Sequence, residues 1–516
     1  MRVLSAALAF TMVMGACTDL EVEELDSKVI VTATGEFAGV NPTASLASAY
    51  GDIRGYADQA NLYALLEVSS DEYLVPTRGT DWGDNGVWRV LHTHQWDATH
   101  QYTVNAWNNL NSNVFRLNQL LHPKSNASAA QAAEGKFLRA LNMFYIYDLW
   151  RQIPFRNADD PASKDPDVLS GQAAFDFIVK DLDDAIAGLP TKTAGAQINA
   201  STQASKAAAR FLKAKMLLNK HIYLNSASPA AADMTAVITL VNEITADGFA
   251  LAPAGQFFSI FQNSADTETI LWTDSGVGNR MWNGLHYSQN SPDNGGGGWN
   301  GFSTTADIYA LFEGSAASNE PGSGQEERRG FVPNQVSGQT TATGIGYGFL
   351  VGQQYENNGT KLKDRAGNDL VFTKDFPGLA GNNERTGIRI IKYHPDNGAF
   401  TNHYILFRYA DAYLMKVEAL LRGGTDTMGQ NAETLFDALR TQRGAATNLT
   451  ATLPELLRER ARELYIEGWR RNDQIRFGTW SNTWPLKDNT ETFRVLFPIP
   501  ALALSSNPNL TQNPGY

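Results

Sequence analysis

The sequence predicts a mainly α-helical protein, in which helical hairpins form a scaffold and long aromatic-rich loops and a few short strands complete the fold. Three observations support this prediction. Apolar residues recur at three- and four-residue steps in successive segments, these segments come in pairs, and two long stretches lack the pattern. An amphipathic helix buries its apolar face against a neighbour, so the pairs suggest stacked hairpins of the tetratricopeptide kind, although no strict 34-residue consensus is present.

The paired segments follow one another along the chain. Helical periodicity covers residues 46–57 and 103–121, 137–149 and 175–186, 207–222 and 237–244, and 406–421 and 435–439. Proline and glycine mark several helix ends, as at Gly188 and Pro190. Residues 269–273 and 387–393 have the character of short strands, and we expect them to form a small sheet at the base of the loops.

The most charged stretch, residues 452–480, is predicted to be one amphipathic helix. Its apolar face runs from residue 453 to residue 468, and Thr452 and Glu455 have the spacing of a capping box. Glu467 precedes Arg471 by one helical turn, so the two are expected to pair. The arginines of this stretch either form an anion site or pair with nearby acids and hold the end of the chain against the scaffold. The second interpretation is favoured, and it concerns Arg470, Arg471 and Arg476 with Glu463, Glu467 and Asp473.

Composition narrows the possible functions. The chain has 516 residues and a formal net charge of −12, which argues against nucleic acid or an anionic membrane as a partner held by charge. The single cysteine, Cys17, excludes an internal disulfide and a site built from several thiolates. The chain contains no GxSxG, P-loop or dinucleotide-binding motif, so we expect neither an enzyme nor a bound cofactor.

The beginning of the chain has the features of a lipoprotein signal. An apolar run from Val3 to Met14 is followed by the small residues Gly15 and Ala16 and then Cys17, which resembles a lipobox. We therefore expect residues 1–16 to be a signal peptide, Cys17 to be lipidated, and residues 17–34 to be an acidic tether. The alternative is an ordinary secretory signal in which the cysteine has no role. No later run approaches the roughly 20 apolar residues of a spanning helix.

Two long regions without helical periodicity, residues 67–100 and 275–400, are the candidates for a binding site. Loops this long are usually functional or disordered, and their tryptophans argue for order. A tryptophan ring suits the apolar face of a sugar, and nearby carboxylates, amides and guanidinium groups suit its hydroxyls. The predicted ligand-binding residues are Asp71, Arg78, Asp81, Trp82, Asp84, Trp88, Trp96, Trp282, Trp299 and Asn300. The alternative for each tryptophan is loop packing, and Trp107, Trp150, Trp272 and Trp469 are expected in the core.

The first loop also has features of three other kinds of site: a calcium site, a zinc site and a glycosidase site. The stretch from Asp81 resembles a calcium loop, but Gly83 stands where an oxygen ligand is needed and His92 where a glutamate is needed. His92, His94 and His100 are close enough in sequence to hold zinc, but hydrogen-bonded histidines are commoner and no HExxH motif is present. Asp71 with Glu72, or Asp81 with Asp84, is a conceivable glycosidase pair whose separation the sequence does not give. No metal site is predicted, although a structural calcium stays open.

Several segments in a fixed order resemble the RagB/SusD family of nutrient-uptake lipoproteins. The end of the chain carries ERARELYIEGWRRNDQIRFG, then FPIP and NPNLTQNPGY. Upstream lie KFLRALNMFYIYDLWRQIPF, DLDDAIAGLP, ASKAAARFLKAKMLL and HYILFRYADAYLMKVEAL. The resemblance covers essentially the whole chain after the signal peptide and supplies the repeat assignment. It implies one domain over residues 35–516, with a helical half at about 35–250 and a loop-rich half at about 265–516.

The resemblance implies a function in uptake. A protein of this kind sits on the outer face of the outer membrane through its lipid, binds an oligosaccharide or another nutrient, and hands it to a SusC-like TonB-dependent transporter. The family's ligand site is built from loops, but its residues vary, so only the region carries over to this chain. Two alternatives stay open: a surface polysaccharide hydrolase, and a receptor of the same fold for peptides.

Overall fold

The computed structural model describes residues 29–194, 203–262, 264–273, 283–289, 297–333, 344–395 and 404–516. Within these ranges the protein consists mainly of helices joined by loops, with short antiparallel strands. The predicted fold class is confirmed. Among the described residues, no helix combines the length and the apolar character that crossing a membrane requires.

The helices of the scaffold follow one another in space as they do in the sequence. They are α1 (Pro42–Asp52), α2 (Val87–His92), α3 (Gln101–Leu121), α4 (Ala129–Trp150), α5 (Gly171–Gly188), α6 (Lys206–Tyr223), α7 (Ala231–Ala246), α8 (Ala306–Tyr309), α9 (Tyr409–Leu421), α10 (Ala432–Gln442), α11 (Leu453–Leu464), α12 (Arg470–Arg476) and α13 (Ala501–Ser506). From α3 to α7 each helix packs on the next, α7 packs on α9, and α9 packs on α10 and α11. All eight segments predicted from paired periodicity contain helices.

Side-chain caps stabilise the starts of several helices, among them α4 and α11. Ser128 and Gln131 form a capping box at the start of α4, with Gln131 N donating to Ser128 Oγ and Ser128 N to Gln131 Oε1. Thr452 caps α11 by accepting from Glu455 N at 3.3 Å, as its position predicts. Each cap satisfies a backbone donor that the first turn of a helix leaves free.

The core runs between the helix layers and is rich in aromatic side chains. Trp107 and Trp150 meet edge to face with ring centroids 5.2 Å apart, a favourable arrangement for two indole rings. Phe211 stacks on Phe407, which joins α6 to a strand of the loop-rich half. The four tryptophans expected in the core, Trp107, Trp150, Trp272 and Trp469, are all buried.

The charged stretch 452–480 is two helices and not one, which corrects the prediction. α11 ends at Leu464, and Ile466 and Gly468 have positive φ angles of 55° and 83° before α12 begins. Two buried carboxylates explain the break, because Glu72 accepts from Ile466 N and Glu67 from Gly468 N, so these donors are used outside a helix. Glu467 consequently pairs with Arg408 and Lys392 instead of Arg471.

The strands are short and form small separate sheets. They are β1 (Val29–Val31), β2 (Phe37–Val40), β3 (Gln152–Phe155), β4 (Asp167–Ser170), β5 (Thr269–Thr273), β6 (Gly330–Phe331), β7 (Tyr347–Leu350), β8 (Gly352–Gln353), β9 (Val371–Phe372), β10 (Arg389–Ile391) and β11 (Tyr404–Arg408). The two predicted strands exist but do not share a sheet: β5 pairs with β11, and β10 pairs with β7. Strand β1 lies within the predicted tether and pairs with β2.

The end of the chain is held against the scaffold by specific hydrogen bonds. Phe497 N donates to Leu149 O at 2.9 Å, and the Asn513 amide donates to the carbonyls of Trp150 and Phe497. Arg471 supports this contact by donating to Val495 O and forming an ion pair with Asp148. Arg471 therefore holds the chain end as the favoured interpretation expects, but its acidic partner is Asp148 in α4. Arg476 pairs with Asp473 as expected, whereas Arg470 pairs with Asp71.

Candidate binding site

The two predicted loops meet in the structure. Leu74 and Ser303 exchange two backbone hydrogen bonds of 2.9 Å, and Trp82 Nε1 donates to Trp299 O at 2.7 Å. Between the loops lies a depression of about 600 Å³, which we call the aromatic pocket. It is lined by Gln59, Asp81, Trp82, Asp84, Asn283, Tyr287, Trp299 and Arg365.

Two tryptophans give the aromatic pocket its apolar surface. Trp299 is 64% exposed, which is unusual for the largest apolar side chain, whereas Trp82 is half-buried and packs against Trp88 and Phe302. Gly301 makes room for the Trp82 ring, because a Cβ at this position would come within 2.3 Å of the ring. The absence of a side chain at Gly301 therefore allows the Trp82 ring to occupy this position.

Hydrogen-bonding groups surround the two rings. Asp81 accepts from the Tyr287 hydroxyl at 2.6 Å and from Arg365 Nη2 at 2.7 Å, and these bonds hold the pKa of Asp81 below its usual range. The Arg365 guanidinium lies 4.0 Å from the centre of the Tyr287 ring. Asp84 accepts from Trp88 Nε1 at 2.8 Å. The pocket thus presents carboxyl acceptors and a guanidinium donor beside flat apolar surfaces.

Two buried arginines fasten the loops beneath the pocket. Arg78 donates to Ser303 Oγ and to the carbonyls of Asn383 and Thr386, and Arg389 donates to Ser303 Oγ and to Asn300 Oδ1. Neither is within salt-bridge distance of a carboxylate among the described residues. Burial lowers the pKa of both arginines, to about 9 for Arg78. The two arginines join the chain around residue 78 to the chain around residue 300 and to residues 383–389. They therefore position the pocket without lining it.

Four of the predicted residues line the aromatic pocket, namely Asp81, Trp82, Asp84 and Trp299. Three others, Arg78, Trp88 and Asn300, are buried behind it, so the structure corrects their assignment from ligand contacts to supporting residues. Trp282 lies outside the described residues.

Two predicted residues belong to other regions. Trp96 is buried against Phe497, and its Nε1 donates to Tyr516 Oη, so it fixes the chain end and cannot contact a ligand here. Asp71 forms a bidentate ion pair with Arg470 and lines a different pocket. Burial and distance from the aromatic pocket are properties that loop composition does not reveal.

Sequence reasoning missed four residues that line the pocket: Gln59, Asn283, Tyr287 and Arg365. Tyr287 and Asn283 lie in the second aromatic-rich loop, so position gave a weak signal for them. Arg365 lies in the same long region but away from its aromatic residues, and Gln59 lies outside both loops, so only the fold identifies these two residues as lining the pocket.

The three histidines of the first loop have structural roles. Their Nε2 atoms contact backbone carbonyl oxygens at 2.7 to 3.1 Å, and burial lowers the pKa of each ring. The pairs are His92 with Pro485, His94 with Ser69 and His100 with Val87. Among the described residues, no group of three or more potential metal-binding side chains is assembled. The hydrogen-bonded interpretation of these histidines is the one the structure supports.

The fold and the aromatic pocket together define the class of protein. It is a helical scaffold protein that presents an aromatic pocket on two loops joined by hydrogen bonds. Residues 267–493 match the sequence model of the SusD family. This match agrees with the sequence resemblance.

Relatives extend the similarity beyond the matched region. The starch-binding protein SusD of Bacteroides thetaiotaomicron is 25% identical over 487 residues, which cover 84% of this chain and 82% of that protein. A solved laminarin-binding SusD-like protein has a TM-score of 0.66 at 20% identity and covers 92% of this chain and 99% of its own. Surface glycan-binding protein A of Bacteroides thetaiotaomicron, solved with laminarihexaose, has a TM-score of 0.65 at 15% identity, with 92% and 98% covered. These two structures show that the fold is shared.

Proposed function

We propose that this protein is a surface receptor that captures an oligosaccharide in the aromatic pocket. The observation that carries the proposal is the exposed indole of Trp299 beside Trp82, with Asp81, Asp84 and Arg365 at the edges of the rings. A sugar ring has an apolar face for the indoles and hydroxyls for the carboxylates and the guanidinium. The named ligands of its relatives, starch, laminarin and laminarihexaose, support this ligand class.

The expected affinity is modest. Covering one sugar face removes on the order of 50 to 80 Å² of apolar surface, which contributes about 1 to 2 kcal/mol per ring. Two or three rings, less the free-energy cost of ordering the ligand, correspond to roughly millimolar to micromolar binding. Weak binding suits a receptor that must release its ligand.

The charges of the pocket favour binding without bond cleavage. A glycosidase needs one carboxyl group with a raised pKa to act as a general acid. The hydrogen bonds from Tyr287 and Arg365 instead lower the pKa of Asp81. Asp84 is engaged with the Trp88 N–H. These contacts support a receptor over the hydrolase alternative.

The remaining parts of the proposal concern place and partner. We infer that lipidation of Cys17 anchors the protein on the outer face of the outer membrane and that a SusC-like TonB-dependent transporter receives the ligand. The similarity to the SusD family supports both inferences. The lipoprotein signal supports the anchor, although Cys17 lies outside the described residues.

Affinity electrophoresis and calorimetry with maltohexaose and laminarihexaose test the proposed site. We expect one of these glycans to bind and the Trp299→Ala and Trp82→Ala variants to lose about tenfold or more in affinity each, from the lost stacking area. Met428→Ala removes an equally exposed apolar side chain elsewhere and serves as the matched control.

Unchanged glycan binding by both tryptophan variants would contradict the assignment of the pocket. Accumulation of reducing ends during incubation would contradict the receptor and favour the hydrolase. Copurification of a TonB-dependent transporter with the protein from native outer membranes tests the partner, and a transporter that elutes separately would count against it.

A further inference from the structure

A second pocket of about 450 Å³ lies beside helices α11 and α12, and it shares no lining residue with the aromatic pocket. We call it the arginine pocket. Its apolar lining comes from Leu311, Leu453, Pro454, Leu457, Phe477 and Trp484. Polar side chains also contribute to the lining, namely Gln474, Thr479, Asn482 and Thr483.

The charge of this lining is the opposite of that in the aromatic pocket. Four arginines contribute to it, namely Arg422, Arg458, Arg470 and Arg476, and Asp71 is the carboxylate in the same set. Asp71 is fully used by Arg470, since both its oxygens accept from that guanidinium at 2.7 Å. The carboxylate therefore does not neutralise the other three arginines.

A chain of buried ion pairs ends at the arginine pocket with an excess positive charge. Cations and carboxylates alternate along it with contacts of 2.7 to 2.8 Å, in the order Arg422, Glu418, Arg476, Asp473, Arg460, Asp411 and Lys215. Four cations share three carboxylates, so the net charge is 4 − 3 = +1. All seven side chains are at least nine-tenths buried, and Arg422 is the most exposed of them.

Two guanidinium groups of the lining keep unused donors. Arg422 bonds through Nε to Glu418 and through Nη2 to Arg476 O, and its Nη1 has no hydrogen-bond acceptor among the described residues. Arg458 makes one bond, from Nη1 to Glu455, and its side chain is 61% exposed. Gln474 Oε1 is buried and likewise has no donor in the described part of the chain. The pocket thus offers donors for an anion and an acceptor for a hydroxyl.

We propose that the arginine pocket binds a sugar ring that carries an oxyanion, either a carboxylate or a sulfate. The oxyanion meets Arg422 and Arg458, because guanidinium groups form strong charge-assisted hydrogen bonds with planar or tetrahedral oxyanions. The ring covers Leu457 and Phe477, and its hydroxyls reach Gln474 and the side chains of the rim. This site is separate from the one proposed above and does not depend on it.

Titration of the purified protein by ligand-observed NMR tests the proposal with three matched sugars: D-glucuronate, D-glucose 6-sulfate and D-glucose. We expect saturable binding of at least one of the two anionic sugars, and which of them binds identifies the oxyanion. D-Glucose should bind at least about tenfold more weakly, because it lacks the charge-assisted bonds. Raising the salt concentration should weaken the binding of the anionic sugar, since Arg458 is exposed to solvent and salt screens its charge.

Two variants locate the interaction. Arg422→Gln should weaken the binding of the anionic sugar about tenfold, and Arg458→Gln should weaken it about threefold. The second effect is smaller because Arg458 is more exposed, so that solvent screens its charge more strongly. Arg458 is exposed, so its variant keeps the test valid if Arg422→Gln fails to fold. Arg116→Gln alters a half-exposed pair with Asp52 on the scaffold and should leave binding unchanged.

Three outcomes would overturn the proposal: no binding of either anionic sugar, equal binding of D-glucose, or undiminished binding by Arg458→Gln. The Trp82→Ala variant separates this site from the aromatic pocket. It should retain binding of the anionic sugar, and loss of that binding would show that the signal arose at the aromatic pocket.

Discussion

Charged side chains have different surroundings in the interior of the protein and at the aromatic pocket. Around α11, six arginines and glutamates are fully buried and each of them contacts more than one opposite charge. We call this set the ionic core, and it comprises Glu268, Arg328, Arg408, Arg443, Glu459 and Glu463. At the aromatic pocket, Asp81 and Arg365 are about one-third and one-half exposed and lie beside an exposed tryptophan.

The difference shows which charges stabilise the fold and which can serve a ligand. A buried ion is costly unless opposite charges and hydrogen bonds replace water, so members of the ionic core cannot be spared for another partner. A half-exposed pair gains little from its contact and can exchange that contact for a ligand hydroxyl at small cost. Charge density in the sequence is therefore a poor guide to the binding site.

The largest expected effect is on the ionic core. Glu463 contacts Arg328, Arg408 and Arg443, so Glu463→Gln keeps the volume but leaves three buried guanidinium groups short of negative charge. We expect a loss of about 3 to 5 kcal/mol in the free energy of unfolding, as for other broken buried pairs. Urea unfolding followed by tryptophan fluorescence measures it.

Glu491→Gln is the matched control for that variant. Glu491 is exposed to solvent and pairs with Arg494 across three residues, so its replacement should leave the unfolding free energy nearly unchanged. Similar losses in the two variants would contradict the distinction between buried and exposed charges.

An intermediate effect is expected at Glu67, which is a buried acid near the ionic core that faces another acid. Glu67 and Glu72 are in hydrogen-bond contact, and burial raises the pKa of Glu67 to about 7. The folded state then binds this proton more tightly than the unfolded state, in which the pKa is near 4.5. The contribution of this carboxyl to stability is consequently complete below pH 4.5 and falls as pH rises to about 7.

Glu67→Gln should remove this pH dependence. Between pH 5 and pH 8 the parent protein should lose stability relative to the variant by on the order of 1 to 3 kcal/mol, measured as urea midpoints at both pH values. Glu491→Gln should follow the parent, because its carboxyl is exposed. A variant that tracks the parent at both pH values would show that Glu67 is ionised throughout.

The smallest effect is expected at the aromatic pocket itself. Arg365→Gln removes the ion pairs with Asp81 and Glu384 and the cation above Tyr287. Because the Arg365 side chain is about half exposed, the unfolding free energy should change by less than about 1 kcal/mol. Glycan affinity should fall about threefold, since one donor at the ring edges is lost. A loss of stability comparable to that of Glu463→Gln would remove the contrast between the two regions.

Much of the scaffold could be predicted from the sequence because its signals are local. The period of apolar residues located the helix pairs, and Thr452 marked the start of α11. The break after Leu464 was not predictable in the same way, because the carboxylates that accept from Ile466 N and Gly468 N lie about 400 residues earlier in the chain. A helical pattern in the sequence cannot report a competing acceptor from another element.

The binding site was predictable as a pair of loops but not as a set of residues. Aromatic content marked both loops, and Trp82 and Trp299 do meet there. Trp88 and Trp96 lie in the same aromatic-rich loop as Trp82 and yet are buried, because burial depends on what packs against a side chain. Arg365 and Asp81 are 284 residues apart in the sequence, so no local pattern predicts their contact.

The sequence by itself determined that the chain folds into paired helices, that two aromatic-rich loops interrupt them, and that its end carries motifs similar to those of the SusD family. These properties depend on periodicity, composition and motif order, which are local. The tertiary structure alone decided which tryptophans face solvent, which charges are compensated and where an arginine is left with unused donors. These properties depend on distances between residues far apart in the chain, because burial and electrostatic compensation are set by the elements that pack together.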